Sequence, residues 1–370
     1  MVFEFATEQG ELRSVVRSLM AAESAEPEIR RAISTPEGYD RALWQRMAGE
    51  LGLCGLVIPE KHGGSGAGVV ELAIVLDELG RALYPGPFLP TALATLAILA
   101  SEDEAAAADL LPAIAAGETV ATLALYEGCG RWDAEDVQCQ AKELDGTWQL
   151  SGQKRYVLDG HLASLLVVAA RTPKGVALFA VSREATGLTD HPVEGFDVTR
   201  RLATIELKET PGRLLGDVSA GHAHLQRLLD RICVCVAAEQ VGGAQAALDM
   251  AVAYAKERVQ FGRAIGSFQA IKHMCADVLL DVESAKSAAY YGAWAADDDS
   301  PELATVAPLV KAYCSDTFYT AASSNIQIHG GIAFTWEHPA HLYYRRAKSG
   351  LALWGDPREH RDALAARLVA

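Results

Sequence analysis

Apolar positions change rhythm twice along the chain. Up to about residue 118 they fall among Ala, Glu and Arg with few β-branched runs, as at Leu43, Met47 and Leu51, and this texture predicts helices. A turn-rich stretch, Pro59-Glu60-Lys61-His62-Gly63-Gly64-Ser65-Gly66, separates two of them. A second break, Tyr84-Pro85-Gly86-Pro87-Phe88-Leu89-Pro90, precedes an Ala/Leu-rich segment that ends at Gly117. From about 119 to 215 the apolar runs shorten, to Val120–Leu125, Val137–Leu144, Trp148–Leu150, Leu165–Ala170, Val176–Val181 and Leu202–Leu207. Asp145-Gly146 is a hairpin signal between the second and third. Short strands with Gly and Pro turns predict an antiparallel sheet or barrel. No G-x-G-x-x-G opens a βαβ unit, which disfavours a parallel dinucleotide-binding sheet.

Beyond about residue 220 the pattern is helical again. Ala220 to Gln260 contains no proline and predicts one very long helix. Ile271, Met274, Cys275, Val278 and Val282 form an apolar stripe at helical spacing. Ser300-Pro301 predicts the start of a further helix that ends near Gly330-Gly331. Helices this long must bury their stripes against one another, as in a bundle. The expected fold class is therefore α+β, mainly α, with a helical domain at 1–118, a β domain at 119–215 and a helical bundle at 216–370.

Composition narrows the function. In 370 residues, 33 Lys and Arg stand against 48 Asp and Glu, a net charge of -15, which predicts no nucleic-acid partner and no anionic membrane surface. No apolar run approaches a bilayer span, and the first residues carry acids with no basic-then-apolar leader, so a cytoplasmic protein is expected. The 7 cysteines are unpatterned, which argues against a disulfide framework. Cys233 and Cys235 would point different ways on a helix. His329, His338, His341 and His360 lack the companion carboxylate motif of a zinc enzyme, and no metal is expected.

Two stretches carry candidate chemistry. Tyr254 to Gln269 reads as a basic helix end, a glycine-punctuated bend and a new helix start, where Arg258 and nearby N–H groups suit a phosphate. Asn325 to Phe334 ends a helix on two glycines, which let a ligand approach closely, and Gln327 suits the edge of a heterocycle. On composition and spacing alone each stretch better fits an ordinary helix terminus, with solvated arginines in the first case and a glycine C-cap in the second.

Taken in order with three further stretches, they resemble the acyl-CoA dehydrogenase family over nearly all the chain. Leu51-Gly52-Leu53-Cys54-Gly55-Leu56-Val57-Ile58-Pro59-Glu60 with His62-Gly63-Gly64 is similar to that family's helix-to-loop signature, and Glu78-Leu79-Gly80-Arg81 continues it. Leu150-Ser151-Gly152-Gln153-Lys154-Arg155-Tyr156 is similar to its hairpin toward the flavin. The resemblance implies a helical N-terminal domain, a central β-barrel-like domain, a C-terminal four-helix bundle, bound FAD and an acyl-CoA substrate. It also implies a homo-oligomer, or a hetero-tetramer with a related subunit, and an electron-transfer flavoprotein or similar acceptor. Carried over by position, Arg258, Gln260 and Phe261 match contacts to the FAD pyrophosphate or adenine side across a dimer interface. Ile265, Phe268 and Gln269 match further cofactor contacts, and Gln327, Gly330 and Gly331 match the adenosine-side loop.

The departures bear on mechanism. Family members remove an α-proton with a glutamate while the β-hydride goes to flavin N5, and placement of that base is demanding. Its two family locations correspond here to Trp354, aligned through Arg346-Ala347-Lys348, and to Ile232, aligned through Ala237-Ala238 and Val241-Gly242. The hydroxyl expected at flavin N5 becomes Leu158, the stacking tryptophan becomes Tyr156, and the small-hydroxyl loop reads Leu125-Tyr126-Glu127-Gly128-Cys129-Gly130. Asp356 is the nearest substitute base, although Asp356-Pro357 also reads as a helix cap; Asp230 is expected to pair locally with Arg227 or Arg231. The leading expectation is α,β-dehydrogenation of an acyl-CoA thioester. The alternative is a non-catalytic subunit that completes the FAD site of a catalytic partner. A flavin oxidase on the same fold comes last, because the chain is short for one.

Overall fold

The computed structural model describes residues 6–128 and 134–369. Helices α1 (Thr7–Glu23), α2 (Glu26–Ile33), α3 (Arg41–Gln45), α4 (Val69–Arg81), α5 (Phe88–Ala100) and α6 (Glu104–Ala115) come first. Helix α5, FLPTALATLAILA, is apolar all round and buried from Phe88 to Ile98, as a helix at the centre of a larger body must be. Asp297, near the far end of the chain, accepts the Val69 N–H at 2.7 Å and so caps α4 from another layer.

Seven strands follow: β1 (Ala121–Ala124), β2 (Gln140–Leu144), β3 (Thr147–Leu158), β4 (Leu165–Thr172), β5 (Gly175–Ser182), β6 (Leu188–Val193) and β7 (Leu202–Leu215). The order β1-β4-β2-β3-β7-β5, with β5 also paired to β4, closes a barrel. Asp145 (φ 52) and Gly146 (φ 79) make the β2–β3 turn, whose double left-handed conformation matches the strand twist. The sheet is mixed, against the antiparallel expectation: β1 runs parallel to β4 over four pairs. Alternation within β4 explains its continuous burial. Leu166, Val168 and Ala170 fill the barrel, whereas Leu165, Val167 and Ala169 face the helices. Strand β6 was not legible, because Asp190, His191 and Pro192 lie on an exposed edge pairing only with β7.

The last region holds α7 (Gly221–Glu257), the short strands β8 (Val259–Gln260) and β9 (Arg263–Ala264), and helices α8 (Gln269–Asp297), α9 (Leu303–His329), α10 (Ala340–Ala352) and α11 (Pro357–Val369). The 37-residue α7 is the one uninterrupted helix its composition predicts. Helix α9 begins two residues after Pro301, since Ser300 and Pro301 form the turn that leads into it. On the α8 stripe Val278 and Val282 are buried and Ile271, Met274 and Cys275 half-buried. Helices α4 and α7 touch backbone to backbone: a Cβ on Gly80 would lie 1.9 Å from the Glu239 carbonyl oxygen, and one on Gly242 1.8 Å from that of Asp77. Only glycine permits that approach. The fold is thus a helical layer, a barrel and a helical bundle, as expected. No helix among the described residues is long and apolar enough to cross a membrane.

Candidate functional site

The two glycine-rich stretches meet at one end of the bundle. Ile265 and Ile328 share a small apolar cluster with Ala251 and Ala255, and the Tyr254 ring stacks on His329 at 4.2 Å. Arg258 terminates α7, and the chain reverses through Phe261 (φ 53) and Gly262 (φ 76) to pair Gln260 with Arg263. Phe261 is 90% exposed, and Phe268 lies beneath the Arg263 guanidinium at 4.1 Å. Gln260, Gln269, Gln327, Gly330 and Gly331 are exposed. Among the described residues neither the Arg258 guanidinium nor the Gln327 amide has a protein partner. A Cβ added to Gly262, Gly330 or Gly331 would meet nothing within 4 Å. A free guanidinium, the free Gln327 amide, open glycine backbone and an uncovered aromatic ring suit an anionic dinucleotide, so this end of the chain fits the phosphate and adenosine part of FAD.

The barrel face differs. A register shift in β3 between Lys154 and Val157 turns Tyr156 (φ 53) outward, 42% exposed, where it stacks on Tyr126 at 5.9 Å. Leu158 turns inward, 3% exposed, into the apolar core shared with the helices. Glu127 accepts from buried Lys154 at 2.6 Å and from the Gln138 and Cys139 N–H groups, so its carboxylate is committed. Cys129 and Gly130 of that loop lie outside the described residues. Tyr156 therefore exposes a ring surface, whereas Leu158 presents neither a hydroxyl nor an exposed edge.

The positions matched to the base are filled with apolar mass. Trp354 (4% exposed) and Ile232 (0%) belong to the same core as Leu158. They also line a cavity of about 100 Å³ between α7, α9 and α11, with Asp230, Cys233, His360 and Arg367. Asp356 is exposed and caps α11: its Oδ1 accepts the N–H groups of Arg358 and Glu359, each at 2.8 Å, and Glu359 returns a bond to the Asp356 N–H at 3.1 Å. Asp230 does not pair locally. Arg227 and Arg231 bind Glu102 and Asp299, and buried Asp230 takes Arg367 from α11 at 2.9 Å. The helix faces explain this: Asp230 points into the bundle, its neighbours out. Burial raises its carboxyl to about 6 against the opposing pull of Arg367. Burial likewise pushes the Cys233 and Cys235 thiols up to about 12, and lowers His341 and His360 to about 4. Among the described residues no group of three or more His, Cys, Asp or Glu could hold a metal ion.

A buried charge network joins the three layers, and the sequence reading missed it. Arg346 of α10 donates to Asp197 at 2.8 Å, to Thr199 Oγ1 at 2.6 Å, to the Tyr84 carbonyl at 3.2 Å and to Glu239 at 3.3 Å. Arg200 binds the other Glu239 oxygen. Beside it a cavity of about 10 Å³ is lined by Leu158, Asp159, Tyr84, Arg200 and Glu239. Asp159 is buried, and its carboxyl has no hydrogen bond or ion pair among the described residues. Burial raises it to about 7, although Arg200, Arg346 and Arg201 pull it down. The available signals were Arg346 inside the Arg-Ala-Lys motif and a glutamate, Glu239, in an Ala/Val-rich helix.

Comparison with known proteins is consistent with this architecture. The acyl-CoA dehydrogenase N-terminal domain profile matches residues 6–118, and the acyl-CoA dehydrogenase C-terminal domain profile matches residues 219–369. The chain is 36% identical over 348 residues to the acyl-CoA dehydrogenase IpdE2 of Mycobacterium tuberculosis, covering 94% of this chain and 93% of that protein. Among solved structures, a variant of the Tcur3481-Tcur3483 steroid ACAD superposes with a TM-score of 0.91 at 31% identity, over 98% of both chains. The ChsE4-ChsE5 complex of Mycobacterium tuberculosis shares the fold with a TM-score of 0.89 at 24% identity, over 100% of this chain and 99% of that one.

Proposed function

The chain belongs to the acyl-CoA dehydrogenase family, whose cofactor is FAD, and from that premise we propose that it works as one subunit of an assembly that dehydrogenates an acyl-CoA thioester at its α and β carbons, with the proton-abstracting carboxylate supplied by a related partner chain. One observation carries this reading. Both positions matched to the base hold buried apolar side chains, Trp354 and Ile232; the carboxylate closest in sequence to Trp354, Asp356, has an oxygen engaged in capping α11, and Asp230, which lines their shared cavity, is paired with Arg367. A base must reach the α-carbon within hydrogen-bond distance, and neither a tryptophan nor an isoleucine accepts a proton there.

Bound FAD would supply the acceptor for the hydride that leaves the β-carbon. This chain's part is to hold and orient. Arg258 and the open backbone at Gly330 and Gly331 would meet phosphate and adenosine, Gln260 and Gln327 would bond the polar edges, and Phe261 would cover an aromatic face. Ile265, Phe268 and Gln269 flank them. Leu158 shares a cavity wall with Glu239, and Arg258 lies 19 residues farther along α7, roughly 30 Å at helical rise. That is farther than a flavin ring sits from its own pyrophosphate, which supports two half-sites serving different cofactor molecules across a chain interface. The two-part names of the steroid ACAD and of the ChsE4-ChsE5 complex also favour a mixed assembly, in which an electron-transfer flavoprotein or similar protein would take up the electrons.

The test is anaerobic mixing of the chain, purified alone and loaded with FAD, with a panel of acyl-CoA thioesters. The reading requires no bleaching near 450 nm until a relative bearing glutamate at a base position is co-expressed. Stoichiometric bleaching of the lone chain would refute it and return the reaction to this subunit.

A further inference from the structure

Lysine at the centre of a helical bundle needs an explanation, because an ammonium leaves water only at considerable cost. Lys311, in the middle of α9, is fully buried. Its three N–H donors meet three oxygens: Ser315 Oγ at 2.9 Å, the Gly355 carbonyl at 3.1 Å and the Gly350 carbonyl at 3.2 Å. The ring is closed by α7. Gln240 donates to the same Gly350 carbonyl at 3.2 Å and accepts from Ser315 Oγ at 3.0 Å. Gly350 lies in the last turn of α10 and Gly355 in the connection to α11, so one side chain grips both ends of the segment that carries Trp354. That segment needs holding. Trp354 has φ 64, a conformation a bulky side chain takes only when its surroundings impose it, and Gly355 has φ 93. On the outer side His360 Nε2 donates to the Trp354 carbonyl at 2.8 Å.

We propose that Lys311 is the positioning residue of the α10–α11 connection, fixing the backbone at position 354 against the bundle and thereby setting the wall of the cavity that Trp354 and Gly355 line. The anchor acts through backbone carbonyls, so it is indifferent to the side chain at 354. Here it keeps Trp354 in the core. Ser315 and Gln240 tie the bundle together but do not reach Gly355. The inference rests on the proposed function only for the meaning of position 354; the anchoring itself is measured without flavin, substrate or partner.

Native-state amide hydrogen exchange of the full chain separates the two roles. In Lys311→Met, protection of the Leu353, Asp356, Arg358 and Glu359 amides is expected to fall about 10- to 100-fold, while amides in the middle of α7 keep theirs. In Ser315→Ala the connection is expected to stay protected, with any loss spread over the bundle. Should Lys311→Met not fold, Lys311→Gln, which retains a donor too short to reach Gly355, is expected to show the same local loss. Undiminished protection at 353–359 in whichever lysine variant folds, or an equal fall across α7, would overturn the proposal.

Discussion

Asp159→Asn isolates a single buried proton. The carboxyl lies beside Arg200 and Arg346, but those guanidinium groups are committed to Glu239 and Asp197, and Arg201 donates to the carbonyls of Ile33 and Thr35. None bonds Asp159, so burial dominates and its affinity for a proton rises to about 7 from 3.8. The sign follows from which state holds the proton. Between pH ~4 and ~7 the folded chain keeps a proton that the unfolded chain has released, so folding stability falls as pH rises and levels off above ~7. At 1.36 kcal/mol per unit, the full span reaches at most about 4 kcal/mol, and between pH 5 and pH 8 about 2–3 kcal/mol of it develops. Asparagine has nearly the same shape, keeps a donor and never ionises, so this slope vanishes in the variant. Of the other groups lining the cavity, Arg200 stays charged throughout this range, burial pushes the Tyr84 phenol well above it, and Glu239 is paired with Arg200 and Arg346 in both proteins. Urea unfolding of both proteins at pH 5, 6, 7 and 8 is the assay. The variant is expected to be more stable at pH 8, with the gap narrowing toward pH 5. A constant gap, or a variant less stable at pH 8, would refute the claim that Asp159 is held neutral by burial.

Two further outcomes follow from the site. Arg258→Ala should weaken FAD retention about 10- to 100-fold, read by cofactor titration, with an unchanged melting temperature because Arg258 is exposed and supports no packing. Asp356→Asn should leave flavin reduction by the complete assembly nearly unchanged, whereas Asp356→Ala should destabilise α11 by about 1 kcal/mol through loss of its cap, seen in the exposure of the last turns to limited proteolysis; a loss of several orders of magnitude in flavin reduction with Asn would make Asp356 the base.

Local rules made the architecture legible. The texture switches near 118 and 220, the Asp145-Gly146 turn and the proline-free run of α7 are decided by residues within a few positions of each other. The parallel β1–β4 pair was not legible because partners 44 positions apart, Ala121 and Leu165, are brought together by the barrel's closure rather than by any turn. Asp230 escaped for a similar reason. Its sequence neighbours are arginines, but its partner, Arg367, lies in another helix, and helical periodicity alone does not say which face meets that helix. Lys311 and Asp159 look like surface residues in the sequence. Only packing reveals that one has three neutral acceptors in place of a counter-ion, and that the other's carboxyl has no hydrogen-bond or ion-pair partner among the described residues. Residue types at the candidate site could be read off in order; whether each faces solvent or core could not.

That last distinction is what separates the functional readings, because the molecule is packed unevenly in a specific way. Where a reaction centre would need an unengaged carboxylate, Leu158, Ile232 and Trp354 are built into the core, and Asp230 beside two of them is paired with Arg367. At the far end of the bundle the reverse holds: Val259, Phe261, Phe334 and Trp336 are each more than half exposed, beside Arg258 and Gln327, whose side chains have no protein partner among the described residues. Large apolar side chains gathered in this way are an energetic liability for an isolated chain and an asset for one that meets a partner and a dinucleotide. The uncovered end and the apolar centre are the two observations on which we propose a subunit whose cofactor contacts act on a neighbour's chemistry while its own site serves as packing.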